Sequence, residues 1–169
     1  MTSVTVSPPR APLWAMALAT WFGAGMSPKA PGTVGTIASF VLWAPLVLLD
    51  TAWWMRLAAV VVVFVVGVVV SDIVVRVRGE DPQLVVIDEV AGMGLTLVIA
   101  PASVVSLLVG FLLFRLLDIT KPGPVGLADR RVKGGLGVML DDMIAGALAL
   151  GVLTALDAAD VLSHARSLW

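Results

Sequence analysis

The segment from Leu57 to Val75 is the feature that most constrains the fold. It includes the run AAVVVVFVVGVVV, and its one charged residue, Asp72, lies near its end. So many β-branched residues would favour a strand in water. In lipid, a helix satisfies every backbone polar group internally, and about 20 apolar residues are enough to cross a bilayer. The segment is therefore predicted to be a membrane-spanning helix.

Apolar residues also dominate the rest of the chain. Of its 169 residues, 59% are hydrophobic and 14% are charged, against about 45–50% and about 25% in soluble domains. This length suits one domain, so the excess of apolar residues cannot be buried in the core of a second domain. An ordinary soluble protein and a disordered chain are both excluded. The formal net charge of -1 gives no basic field for nucleic acid. We expect an all-α, compact, multi-helical membrane protein.

Three shorter apolar segments flank this span. Thr33–Leu49 is predicted to be a further span, and Met143–Leu156 is short for a full crossing. Leu13–Ala24 is predicted to lie on the membrane surface or to insert partly. A signal peptide is the weaker interpretation there, because Arg10 alone makes a poor basic region and no clean cleavage site follows.

A single domain is expected over residues 13–157. The Pro-rich residues 1–12 are predicted to form a flexible tail, and residues 158–169 a C-terminal tail.

The apolar segment Val90–Leu117 is interrupted by Pro101, and each half is too short for a straight crossing. It could form a helical hairpin or one long kinked helix, and the apolar pattern leaves both open. Charge placement favours the hairpin, because basic residues then gather on one side, with Arg56 and Arg166 on the other. That basic side is expected to face the cytoplasm. It would carry Lys29, Arg76, Arg78, Arg115, Lys121, Arg130, Arg131 and Lys133.

Residue counts limit the chemistry. The chain has no Cys and a single histidine, His164. Thiolate nucleophiles, Cys-rich zinc sites and two-histidine phosphohydrolase mechanisms are therefore excluded within one chain. Acid–base or metal chemistry has to rest on Asp and Glu.

Half of the twelve acidic residues lie in three places at the edges of apolar segments. Carboxylates near hydrocarbon are costly and usually mark function. Their mutual repulsion would raise their pKa values unless a divalent cation offsets it, and Mg²⁺ suits carboxylate and water ligands. Ion pairs that only anchor helices are the alternative, which the sequence leaves open. The three places are Asp88-Glu89, Asp118 with Asp129, and Asp141-Asp142.

Adjacent residues on a helix point about 100° apart. We therefore expect only one member of each pair, Asp88-Glu89 and Asp141-Asp142, to face a metal, while the other orients a neighbour. Small residues such as Gly92 and Gly146 follow each pair and would let the two helices approach closely. Plain helix packing predicts the same small residues.

Two regions could bind phosphate. Ala30–Thr33 leads into a helix beside Lys29, and free amides at a helix start bind anions. Simple N-capping is the alternative there. The second region, residues 118–137, is a polar, Gly-rich and basic loop that contains Lys121, Arg130 and Lys133. It could instead only set topology or contact anionic lipid.

Among phosphate-processing membrane enzymes, the surviving chemistry is metal-assisted attack by water. At this point four ordered segments resemble the phosphatidylglycerophosphatase A family over roughly residues 20–150. Thr36, Leu117 and Gly123 depart from residues that are frequent in that family. The four segments are Ser27–Gly35 (SPKAPGTVG), Val86–Gly92 (VIDEVAG), Phe114–Pro122 (FRLLDITKP) and Gly134–Asp142 (GGLGVMLDD) followed by Ala145-Gly146.

The resemblance implies Mg²⁺-dependent removal of the terminal phosphate from phosphatidylglycerophosphate in a bacterial membrane. We hypothesise that the active site faces the cytoplasm from the inner membrane. The hypothetical metal ligands are Asp88, Glu89, Asp141 and Asp142. The hypothetical catalytic residues are Asp88, Glu89, Asp118, Asp129 and Asp142. The hypothetical substrate-binding residues are Lys29, Pro31, Gly32, Thr33, Arg115, Lys121 and Arg130.

Two other functions stay open at this point. One is a small transporter or ion-conducting protein, whose charges should line the spans rather than lie at their ends. The other is a phosphatase of a different lipid phosphate with the same metal site. The sequence gives no oligomeric state.

Overall fold

The computed structural model describes residues 10–79 and 82–162. Helices make up the regular structure of these two ranges, which contain no strand, and this confirms the predicted all-α class. A short 3-10 turn, Ala24–Met26, joins the first two helices. The helices are α1 Leu13–Ala19, α2 Pro31–Ala38, α3 Phe40–Leu48, α4 Trp53–Arg78, α5 Ile87–Thr96, α6 Val104–Thr120, α7 Pro124–Arg131 and α8 Gly134–Ala158.

Within the two described ranges, three segments are long and apolar enough to cross a membrane: Pro31–Leu48, Trp53–Arg78 and Gly134–Ala158. The first combines α2 and α3, and the second is α4, whose valines are helical as expected for a lipid environment. Trp53 and Trp54 are exposed at the start of α4, where aromatic side chains suit a membrane interface.

The last helix differs from its prediction. Met143–Leu156 alone is short for a span, but α8 begins already at Gly134 and is 25 residues long. The Gly-rich segment before the carboxylates forms the first turn of α8 and packs closely on its neighbours. A Cβ on Gly135 would collide with the carbonyl oxygen of Val68 on α4, and a Cβ on Gly137 with that of Val132. The loop predicted over residues 118–137 is therefore mostly helical, with α7 in its middle.

The segment around Pro101 forms the predicted hairpin rather than one kinked helix. Helix α5 ends at Thr96 and α6 begins at Val104, with the Ser103 hydroxyl accepting a hydrogen bond from the amide of Ser106 as an N-cap. The hairpin turn is fixed by buried Arg56, which donates to the carbonyl of Ala100 at 2.8 Å. The start of α5 and the end of α6, which this turn does not join, therefore lie at the opposite end of the molecule.

Helix α8 packs against α4, α5, α6 and α7 and so forms the centre of the bundle. Trp43 ties α3 to α5, because its indole nitrogen donates to the carbonyl of Val90 at 2.8 Å. This arrangement brings the start of α5, the end of α6 and the first turns of α8 together. The proposed tails at 1–12 and 158–169 fall mostly on residues outside the described ranges, as do His164 and Arg166, so these boundaries stay predictions.

Candidate active site

A polar cavity of about 400 Å³ lies where these helix ends meet. Most of the residues predicted from the sequence line it. Among the described residues, Lys29 and Arg130 are exposed and lie outside its lining. The predicted residues in the lining are Pro31, Gly32, Thr33, Asp88, Glu89, Arg115, Asp118, Lys121, Asp129, Asp141 and Asp142.

Three carboxylates converge in this cavity. Asp88, Glu89 and Asp142 each offer an oxygen, and these atoms all lie within 4.8 Å of one another. The expectation that Asp88 and Glu89 cannot face one point is wrong. The Oδ1 atom of Asp88 accepts a hydrogen bond from the Glu89 amide at 3.0 Å, so the shorter side chain folds back over the first turn of α5. The longer Glu89 side chain then reaches the same space.

Close packing of α5 against α8 brings Asp142 to the other two carboxylates. A Cβ on Gly146 would collide with the carbonyl oxygen of Gly92, so the two backbones touch at this point. Asp142 lies one helical turn before Gly146 and is buried, with 3% of its surface exposed. The small residues that follow each pair therefore position the carboxylate cluster.

Burial alters the protonation of the cluster. Burial, reinforced by the charge of Asp142, raises the pKa of Glu89 to about 8. Burial and the neighbouring Glu89 likewise raise the pKa of Asp88 well above its usual range. The Oε2 atom of Glu89 is buried and has no hydrogen-bond partner among the described residues. An all-oxygen donor set that holds an unpaired buried oxygen fits a hard divalent cation such as Mg²⁺.

Arg115, on α6, joins this cluster to the start of α2. It donates to Asp118 at 2.6 Å, and its Nη1 atom lies 3.7 Å from Oε1 of Glu89. Long hydrogen bonds of 3.4 and 3.5 Å reach the hydroxyls of Thr33 and Thr36. Its Nε atom is buried and unpartnered within the described residues. The guanidinium group therefore has one donor that none of the described residues satisfies.

The N-terminus of α2 supplies a second group suited to phosphate. Its N-cap is Ala30, with φ of 46°, and no side chain caps the helix. The Thr33 hydroxyl contacts Arg115 instead of capping, so the simple N-capping interpretation does not hold. Gly32 lacks a side chain where a Cβ would collide with the Glu89 carboxylate. Backbone amides at such a helix start, beside an arginine, favour an anion.

Lys121 binds two carboxylates of its own. Its Nζ atom donates to Asp129 at 2.5 Å and to Asp141 at 2.9 Å. Burial would lower the pKa of Lys121, but these two hydrogen bonds outweigh it and raise that pKa above its usual range. The structure thus places Asp141 beside Lys121, whereas the adjacent Asp142 lies with Asp88 and Glu89. Lys121 therefore links α6, α7 and α8 while lining the cavity.

Three polar residues around the cavity are absent from the set predicted as site residues. Gln83 and Lys133 line it, and Thr36 contacts Arg115 from α2. Thr36 could have been found from the sequence, because it follows Thr33 by three residues and so lies on the same helix face. Nothing in the pattern around Gln83 distinguishes it from an ordinary loop residue.

The fold and the cavity together define a class of protein. The protein is a helical membrane protein, and its cavity holds carboxylates suited to a divalent cation beside an arginine and the amides of a helix start. Such a site suits the processing of a phosphate group at the membrane. Comparison with known proteins gives the family. Residues 17–157 match the family described as Phosphatidylglycerophosphatase A. The chain belongs to that family, as the four ordered segments predict, and it is a phosphatase.

Three known bacterial proteins are similar in sequence to this chain over most of their own length. The phosphatidylglycerophosphatase A of Escherichia coli K12 is 36% identical over 80% of this chain and 79% of its own. The phosphatidylglycerophosphatase A of Haemophilus influenzae is 33% identical over 82% of this chain and 86% of its own length. A Bacteroides thetaiotaomicron protein, provisionally described as a phosphatidylinositol-3-phosphatase, is 38% identical over 76% of this chain and 84% of its own length. No solved structure matches the chain.

Proposed function

We propose that this protein is a Mg²⁺-dependent phosphatidylglycerophosphatase of glycerophospholipid biosynthesis. It removes the terminal phosphate of phosphatidylglycerophosphate and releases phosphatidylglycerol and inorganic phosphate. The names of the Escherichia coli and Haemophilus influenzae relatives support the substrate. The observation that carries the proposal is the group Asp88, Glu89 and Asp142, within 4.8 Å of one another beside Arg115.

In this proposal Asp88, Glu89 and Asp142 hold the metal. When bound, Mg²⁺ supplies positive charge that polarises the phosphoryl group. Arg115 Nε and the amides at the start of α2 bind the non-bridging phosphate oxygens and keep the phosphorus in reach of water. Asp118 positions Arg115 through their 2.6 Å contact.

The reaction breaks the bond between phosphorus and the glycerol oxygen while a water oxygen forms a new bond to phosphorus. We assign the acceptance of the water proton to Asp88, because it is half-buried whereas Glu89 and Asp142 are buried. The departing glycerol oxygen takes up a proton from solvent water and leaves as the hydroxyl of phosphatidylglycerol, and Asp88 returns the proton that it accepted to solvent. Lys121 holds Asp129 and Asp141 at the rim and thereby fixes α7 against α8.

The proposal includes the location of the site. The cavity lies at the end of the bundle where α4 finishes with Arg76 and Arg78 and α7 with Arg130 and Arg131. Such a basic excess supports placing this end on the cytoplasmic side of the bacterial inner membrane. Phosphatidylglycerophosphate would reach the cavity from the adjoining leaflet.

A different lipid phosphate is the second candidate substrate. The Bacteroides thetaiotaomicron relative favours it, since that protein, at a similar level of identity, is provisionally described as a phosphatidylinositol-3-phosphatase. Membership of a phosphatase family removes the support for a transporter or ion-conducting protein.

Lipid analysis of a bacterial strain that lacks this protein tests the proposal. Phosphatidylglycerophosphate is expected to accumulate, and the wild-type chain should clear it, whereas an Asp142→Asn variant expressed at the same level should not. Accumulation of a phosphoinositide would support the second candidate. An unchanged phospholipid profile would contradict both.

A further inference from the structure

A further concave space, of about 580 Å³, lies beside the active-site cavity. We call it the side groove. Helix α1 and the turn after it form one wall with Met16 and Met26, and the loop before α5 forms another with Leu84. Arg78, at the end of α4, lines it as well. The described lining contains none of the residues proposed above to hold the metal or to accept a proton.

The side groove adjoins the active-site cavity. Pro31, the first residue of α2, and Gln83, in the loop before α5, line both spaces. Gly32 and Thr33, the next residues of α2, line the cavity where the terminal phosphate is proposed to bind. A lipid that places this phosphate in the cavity can therefore extend past Pro31 and Gln83 into the side groove.

The segment that forms one wall of the side groove suits a membrane interface. With seven residues, α1 is too short to cross a bilayer. Ala15 and Ala19 bury one face of α1 against the bundle. Trp14, Phe22 and Met26 are instead 55%, 73% and 63% exposed. An exposed apolar surface that includes a tryptophan is typical of segments that lie along the headgroup region. In that position the side groove opens where lipid headgroups meet the acyl chains.

Arg78 gives the side groove its positive charge. Its side chain is exposed and has no hydrogen-bond or ion-pair partner among the described residues. Arg76, two residues earlier on α4, differs because it is paired with Asp72 at 2.7 Å. The described lining of the side groove contains no carboxylate, and Glu80 and Asp81, which follow in sequence, lie outside the described residues. Apolar walls beside an unpaired guanidinium group suit an anionic group that is joined to an acyl chain.

We propose that the side groove binds the part of the lipid substrate that does not react. The diester phosphate lies against Arg78, and the start of an acyl chain lies against Met16, Met26 and Leu84. The headgroup glycerol then passes Gln83, where the two spaces join. The inference rests on the proposed function, in which the cavity holds the terminal phosphate. A lipid whose single phosphate is the scissile one, such as phosphatidate, offers no anion to Arg78 and should bind more weakly.

Kinetics of paired variants test the role of Arg78. Arg78→Gln should raise the KM for phosphatidylglycerophosphate in mixed micelles about three- to tenfold with little change in kcat, because the lost ionic contact is to a phosphate that does not react. Arg78→Lys keeps the charge and should restore most of the affinity. The matched control is Arg76→Gln, which removes the same charge from the same helix end but outside the side groove. An unchanged KM in Arg78→Gln, or equal KM shifts in both glutamine variants, would overturn the assignment.

A thiol probe tests contact with the lipid at the groove wall. The chain has no Cys, so Met26→Cys introduces a single thiol in the side groove, and Met55→Cys introduces one at an exposed methionine outside it. The ligand is a phosphonate analogue of phosphatidylglycerophosphate, in which a CH₂ group replaces the ester oxygen of the terminal phosphate and prevents hydrolysis. With Mg²⁺ present, it should slow alkylation of the Met26→Cys thiol several-fold more than phosphatidylcholine with the same acyl chains does. At Met55→Cys the two lipids should protect equally.

The same probe separates this inference from the phosphatase proposal. Protection of the Met26→Cys thiol without turnover of phosphatidylglycerophosphate would support the side groove and reject the phosphatase proposal. Turnover with equal protection by the analogue and phosphatidylcholine would reject the side groove and leave the phosphatase proposal intact. Neither protection nor turnover, in a variant that unfolds at the wild-type temperature, would reject both.

Discussion

Glu89 and Arg115 lie 3.7 Å apart across the α5–α6 hairpin, yet each keeps one buried polar atom without a partner among the described residues. Buried polar atoms in folded proteins are nearly always hydrogen-bonded. The unpaired atoms are a carboxylate oxygen, Oε2, and a guanidinium nitrogen, Nε. One can bind a cation and the other an anion, so the pair suits a site completed by a metal ion and a phosphate.

The adjacent residues Asp141 and Asp142 should behave differently when each is neutralised. Asp142→Asn removes a ligand of the metal group and should weaken Mg²⁺ binding about 100-fold or more, with a comparable loss of phosphatase activity. Asp141→Asn removes a partner of Lys121 and should change Mg²⁺ affinity only a few-fold. Calorimetric Mg²⁺ titration of the purified variants in detergent measures both effects.

Asp50→Asn is the control for this comparison, because Asp50 is an exposed carboxylate at the far end of the molecule, paired with Arg56. Its Mg²⁺ affinity should equal that of the wild type. Equal weakening by Asp141→Asn and Asp142→Asn would show that both aspartates bind the metal.

Metal binding should depend on pH. Because the pKa of Glu89 is raised from 4.5 to about 8, the metal-free site holds protons at neutral pH that a cation has to displace. Mg²⁺ affinity should therefore rise from about pH 6 to about pH 8, with release of at least one proton near pH 7, because the pKa of Asp88 is raised as well. Calorimetry in two buffers of different ionisation enthalpy measures the number of protons released.

The stability of the metal-free protein should follow the opposite trend. Between pH 4.5 and about 8, Glu89 is protonated in the folded state and ionised in the unfolded chain. The folded state binds more protons in this window, so this group lowers stability as pH rises through it. Saturating Mg²⁺ should reduce that loss. A Tm that is insensitive to Mg²⁺ at pH 8 would contradict a metal site at Glu89.

Packing of α5 on α8 should control the site from a distance. Gly146→Val places a side chain against the carbonyl of Gly92, which should cost about 1–3 kcal/mol of stability. It should also weaken Mg²⁺ binding by moving Asp142 away from α5. Gly151→Ala on the same helix meets open space and should be neutral or stabilise by about 0.5–1 kcal/mol. Denaturation in detergent and Mg²⁺ titration together check the pair, and unchanged Mg²⁺ affinity in a folded Gly146→Val protein would contradict this positioning.

Arg115→Lys should be far from conservative. The guanidinium group reaches Thr33, Thr36 and Asp118 at once, whereas an ammonium is a single point charge. We expect kcat/KM to fall by roughly 100-fold. The exposed Arg131→Lys serves as the control and should retain wild-type kinetics. Similar kinetics for Arg115→Lys and the wild type would show that charge alone is required.

The sequence predicts the helical class, the hairpin and most of the cavity lining, because these follow from local patterns. Apolar length determines the α4 span, and Pro101 separates α5 from α6. Carboxylates at the ends of apolar segments come together because helix ends meet in a short bundle. The small residues Gly92 and Gly146 already indicate which helices touch.

Three details of the site could not be predicted in the same way. The convergence of Asp88 and Glu89 depends on a hydrogen bond from the Glu89 amide, which helix periodicity ignores. The ion pairs of Lys121 with Asp129 and Asp141 depend on how α7 packs against α8. Lys29 adjoins the α2 start in sequence but lies outside the cavity lining, because the Ala30 backbone turns there with a positive φ.

The most direct test of the account is phosphate release from pure phosphatidylglycerophosphate by the purified protein in mixed micelles. Phosphate release is expected to depend on Mg²⁺, to stop in EDTA and to be lost in Asp142→Asn. Phosphatidylglycerol should form in equal amount. Full activity in EDTA, or full activity of a folded Asp142→Asn protein with Mg²⁺, would contradict the claim that the buried carboxylates hold a catalytic metal.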